Sequence, residues 1–164
     1  MLVLKLKLLT NKKEAMKIII STITMSILVI SAMSQAHTEV IMNDYLKIKN
    51  SLVKSDSDQA KLFALDLTKV LEAEVSFSEK PKLVKFAKKI SSTNDIEKQR
   101  EAFSELSVSL WKVIKNANTI SGDIYYQYCP MKQMYWLSAE PVINNPYYGS
   151  KMLTCGSIFD KKLK

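Results

Sequence analysis

Four apolar stripes at helical spacing limit what this chain can fold into more than any other feature. Ile41, Tyr45, Ile48 and Leu52 recur at steps of four, three and four, which places them on one side of a helix from about Thr38 to Lys54. Ala60, Phe63, Ala64, Leu67, Val70 and Leu71 repeat the pattern, behind Asp56 and Gln59, which read as an N-cap signature. Leu83, Phe86, Ala87 and Ile90 make a third, shorter stripe, opened by Pro81, whose fixed φ and missing N–H suit a first turn. Ile96, Phe103, Leu106, Leu110, Val113 and Ile114 make the longest, with Thr93 and Asn94 as caps and Glu97 as the return arm of a capping box. Each stripe must be covered, and four of them joined by short connections can cover one another. The sequence therefore predicts a mainly α fold, an antiparallel four-helix bundle. Burying each such Leu, Ile or Phe contributes about 1.5 to 3 kcal/mol, and Trp111 is assigned to the same core.

The pattern changes near residue 118. Of three glycines and four prolines, all but Pro81 lie between Gly122 and Gly156. Asp123-Ile-Tyr-Tyr-Gln-Tyr128 favours a strand after a Ser121-Gly122 turn, and Ser157-Ile158-Phe159 suits a second short one. Residues 37–118 are thus read as the bundle and 119–164 as a small C-terminal appendage of short strands and turns packed on it, one domain overall.

Residues 1–36 have a different logic. Lys5, Lys7, Lys12, Lys13 and Lys17 precede an apolar run from Ile18 to Ile30, and Ser34 and Ala36 follow in a small-x-small arrangement. Basic, then apolar, then small is the order of a secretory signal peptide, cleaved after Ala36. The run falls short of the roughly 20 residues needed to cross a bilayer, so no stable membrane span is expected after cleavage. Met16 is an alternative start to Met1, and either gives the same mature chain. The expected location is periplasmic or secreted.

Export also changes the charge. The full chain carries a formal +8, but removing five lysines and one glutamate leaves 19 basic and 15 acidic residues, or +4. Those charges are scattered along helix faces without a basic block, so nucleic acid is not an expected partner. No G-x-S-x-G, H-E-x-x-H or phosphate-cradling glycine loop occurs, and the single histidine, His37, falls at the expected mature terminus. An enzyme is not expected.

The remaining candidates for chemistry are two sulfur clusters, Cys129-Pro-Met131 and Met152-Leu-Thr-Cys155. Thiolate and thioether are soft ligands that select Cu(I) over Mg, Ca or Mn. Cys129, Met131, Met152 and Cys155 could form one copper site if the turns bring the clusters together. A Cys129–Cys155 disulfide is the other reading, suited to an oxidising compartment and worth roughly 3 to 4 kcal/mol in the chain-entropy model. Zinc fits less well, because a structural site wants four Cys or His ligands. His37, with the terminal amine, could in principle chelate Cu(II).

Asp95-Ile-Glu-Lys-Gln-Arg-Glu-Ala-Phe-Ser-Glu-Leu-Ser107, Tyr125-Tyr-Gln-Tyr-Cys-Pro-Met131, Tyr135-Trp-Leu-Ser138 and Asn145-Pro-Tyr-Tyr-Gly-Ser-Lys-Met-Leu-Thr-Cys-Gly156 together resemble the family called domain of unknown function 3347. The resemblance extends over essentially the whole mature chain. It implies small exported proteins of Gram-negative bacteria, or domains appended to periplasmic adaptors of copper and silver efflux pumps, and so heavy-metal efflux or other envelope proteins as partners. The family pattern often has histidines where this chain has Phe86, Lys89, Ala102 and Tyr128. The expected function is an exported copper-binding domain in metal homeostasis or resistance. The alternative is a non-catalytic interaction module of an envelope or efflux assembly, stapled by a disulfide. Mass spectrometry of the protein recovered from its producing cell should find His37 at the N-terminus, and an intact chain retained in the inner membrane would contradict export.

Overall fold

Each of the four stripes lies on a helix. The computed structural model describes residues 38–74, 77–117 and 120–164. The predicted signal peptide, its cleavage point, His37 and the boundary at 118 lie outside them. Helix α1 is described over residues 38–53 and buries Tyr45, Ile48 and Leu52 completely. Helix α2 (Ser57–Ala73) starts at Asp56, whose extended backbone lets its carboxylate accept the Gln59 N–H at 3.0 Å. Helix α3 (Lys80–Ser91) has Pro81 in its first turn and buries Leu83, Ala87 and Ile90. Helix α4 (Ile96–Asn116) buries Phe103, Leu106, Leu110, Trp111 and Ile114. Among the described residues no helix is long and apolar enough to cross a membrane.

The cap of α4 differs from the sequence reading. Asp95, not Asn94, accepts the Glu97 and Lys98 N–H groups, at 3.0 and 3.3 Å. Those backbone bonds, the one from Lys98 foremost, hold its carboxyl below the usual carboxylate range. Asn94 sits one residue too early to reach them. Its side chain instead accepts from Lys61 and donates to Asp58 of α2. Glu97 does not close a capping box; its carboxylate holds Arg100 and Lys132.

After α4 the chain forms a three-stranded antiparallel sheet in the order β2-β1-β3: β1 (Ile124–Cys129), β2 (Met134–Ser138) and β3 (Ser157–Lys162). The sequence reading missed β2 and ended the other two strands early. Side chains alternate across β1 and β2, so Tyr126 and Tyr128 share a face with Tyr135 and Leu137, while Gln127 and Cys129 share the other with Met134, Trp136 and Ser138. The first face meets α4, where Trp111 stacks on Tyr126 at 4.9 Å. The second is roofed by residues 139–156. Gln127 Nε2 donates to the Glu140, Pro141 and Val142 carbonyls, and the Trp136 ring meets Tyr147 edge-on at 5.9 Å.

β2 lies at the edge of the sheet, and its unpaired backbone groups have partners on two buried tyrosines. Tyr45 Oη accepts the Leu137 N–H at 2.9 Å and hydrogen-bonds Ser107 Oγ at 2.6 Å. Tyr147 Oη donates to the Tyr135 carbonyl. Burial keeps both phenols protonated well above the ordinary tyrosine range. Replacing Tyr45 with Phe strands a buried N–H and should cost about 1 to 3 kcal/mol in urea unfolding at neutral pH. Because the folded phenol titrates above the unfolded one, that advantage is complete below the unfolded value and should fall as pH rises past about 10.

Candidate metal centre

The two cysteines reach the same place by different routes. Cys129 closes β1 on the roofed face and is completely buried. Cys155 lies in the roof, two residues before β3, and is half-buried. Its N–H donates to the Met152 carbonyl at 3.2 Å, and its own carbonyl accepts Asn145 Nδ2 at 2.6 Å. Asn145 is itself completely buried. Its backbone N–H donates to the Leu153 carbonyl at 2.8 Å, and its Oδ1 accepts the Tyr147 N–H at 2.8 Å, so one side chain sets the roof's course. Gly156 then lets the roof descend. A Cβ there would lie 2.7 Å from the end of the Trp136 ring and 2.9 Å from the Tyr128 carbonyl, and its φ of +152° suits glycine.

The result is a pair of free thiols that lie near each other at the end of β1. Loss of solvent, then the neighbouring Cys129 sulfur, pushes the Cys155 thiol up from its ordinary value. Nearby, Trp136 Nε1 and Gln127 Oε1 are buried with no hydrogen-bond partner among the described residues. These side chains face each other across the β1–β2 ladder on the face that carries Cys129.

Met131 and Met152 stand at the same end of the sheet but face outward, 63% and 39% exposed. Met131 rides on the 130–133 turn, which Lys132 pins to α4 by donating to Glu97 at 3.2 Å. Burial works to raise the Glu97 carboxyl, but Arg100 and Lys132 outweigh it and hold it low. The thiols are thus brought together, while these two thioethers remain at the rim. The sequence reading missed Met134, directly opposite Cys129 in the ladder and half-buried. The short apolar run Met134-Tyr-Trp-Leu137, rich in strand-favouring aromatic residues, was the available signal.

Among the described residues no three His, Cys, Asp or Glu side chains converge. The positions where the resemblance places histidines do not surround the thiols as a group. Phe86 and Lys89 lie on α3, Ala102 lies on α4, and Tyr128 occupies the sheet face opposite Cys129.

A family described as protein of unknown function (DUF3347) matches residues 41–122, half of the 164-residue chain, and the chain belongs to that family. The match spans the helices and stops before the sheet, short of the whole mature chain over which the resemblance was read. No curated protein and no solved structure matches.

The unequal burial of the thiols has a direct chemical readout. Iodoacetamide added to the native, reduced chain should alkylate Cys155 first, and Cys129 only after unfolding, as peptide mapping by mass spectrometry would show. Equal rates in native buffer would contradict the burial of the end of β1.

Proposed function

We propose that this member of the DUF3347 family is an exported soft-metal-binding protein that holds Cu(I) between Cys129 and Cys155, in copper homeostasis or resistance. The observation that carries the reading is the approach of two free thiols from separate segments, at a sheet end whose other nearby sulfurs are thioethers. On binding, each thiol gives up its proton and the soft sulfur takes the metal. The donors fit Cu(I), which accepts few, soft ligands. They fit zinc poorly, because its structural sites want four nitrogen or sulfur ligands. In this reading the helices form an antiparallel bundle that carries the site. The protein works in the periplasm or after secretion, and it hands metal to, or docks on, efflux or other envelope proteins.

A second reading has a specific observation in its favour. The family match covers the helices and none of the four sulfur residues first considered, so what members share need not include the thiols. The bundle would then be an interaction module, and Cys129 and Cys155 a disulfide staple.

Titrating the reduced chain with Cu(I) against a chromophoric Cu(I) chelator separates the two. One equivalent should be retained, and the double variant C129S/C155S should release it. Loss of retention from the wild-type chain, with a quantitatively oxidised and reduction-resistant pair in protein taken from the cell, would leave the interaction module standing.

A further inference from the structure

Strand register identifies a third sulfur that the sequence clusters leave out. Cys129 and Met134 close the β1–β2 ladder as direct partners, and directly opposed residues project to one face with Cβ atoms about 4.5 to 5.5 Å apart. Cys155 comes to the same end of β1, since its neighbour Gly156 lies against the Tyr128 carbonyl and against the Trp136 ring on that face. Met134 and Cys155 are both half-buried and packed against the core, while Cys129 is completely buried within it. Met131 and Met152 are open to solvent, and Met131 sits in a turn, where no ladder fixes its direction.

We propose that Met134 supplies the thioether ligand, so that Cu(I) is held by the sulfurs of Cys129, Cys155 and Met134, with Met131 and Met152 outside the coordination sphere. The assignment rests on the copper-binding reading above and specifies its ligand set. Two thiolates and one thioether on a monovalent ion leave the centre with a single negative charge. The three sulfurs come from β1, the roof and β2, and each is held by backbone bonds made without the metal. Pre-positioned, half-buried donors lose little freedom on binding and are shielded from solution thiols. The exposed methionines would have to be ordered at the surface.

The test uses the reduced chain, its variants M134L, M131L/M152L and C129S, and Cu(I) as the probe. Leucine keeps methionine's approximate volume and apolarity while deleting the sulfur. M134L should weaken Cu(I) at least about tenfold in chelator competition, and X-ray absorption should count three sulfurs in the wild type and two in this variant. M131L/M152L should stay within about threefold of wild type. A second measurement needs no substitution at the site. In wild-type protein labelled at the methionine methyl carbons, the Met134 resonance should move on Cu(I) addition while those of Met131 and Met152 stay in place. An unmoved Met134 methyl, or M134L binding as wild type, overturns the assignment. C129S guards the underlying reading, since wild-type affinity in that variant means that the dithiol site itself is wrong, whatever the methionines do.

Discussion

The outer edge of β2 is the constraint on which the rest of the structure depends. An edge strand leaves every second residue's N–H and C=O unpaired, and burying those groups without partners costs on the order of 1 to 3 kcal/mol each. Here Tyr45 takes the Leu137 N–H, and Tyr147 donates to the Tyr135 carbonyl. Both rings meet Phe103 of α4, Tyr45 stacked at 4.8 Å and Tyr147 tilted at 6.3 Å. The edge is therefore sealed by aromatic side chains that also belong to the helical core. The seal blocks strand addition at that edge and fixes the sheet against α1 and α4.

A buried cation fastens the roof in the same way. The Arg100 side chain is 8% exposed. Its Nε donates to the Pro146 carbonyl at 2.8 Å and another of its nitrogens to the Leu52 carbonyl and Ser55 Oγ, while Glu97 balances its charge. Gly149 passes so close to this turn that a Cβ would lie 2.6 Å from Ser55 Oγ and 3.1 Å from the Val53 carbonyl, at a φ of +56°. An unpaired buried guanidinium would be expensive, so its geometry is not free to drift. The segment Arg100 holds is the one Asn145 organises, and its far end is Cys155. Helix packing, a charged anchor and an asparagine turn thus lead to one half-buried thiol.

Helices were legible in the sequence because their signal is local. Apolar spacing, Asp56 as a cap and Pro81 in a first turn all act within a few residues of where they are written. The cap of α4 was misplaced by one residue because Thr93, Asn94 and Asp95 are all capable caps, and the choice was made by Asn94's contacts with Lys61 and Asp58 on α2. β2 was missed because its identity comes from pairing with β1 and from tyrosines 92 and 12 residues away in the chain. The bulge that leaves Phe159 as an extra residue between Asp160 and Ile158 belongs to the same class.

By itself the sequence determined the helical stripes, the change of character after the fourth helix and the identity of the soft donors, because periodicity and side-chain chemistry need no partner to be read. Only the tertiary structure decided which donors meet. Cys129 and Cys155 come near each other because a roof, anchored through Arg100, Asn145 and Gly156, crosses back over the end of β1. Met134 joins them because an antiparallel register places it opposite Cys129. Register and crossing are settled by burial and hydrogen bonding between distant segments, and no local spacing in the chain records them.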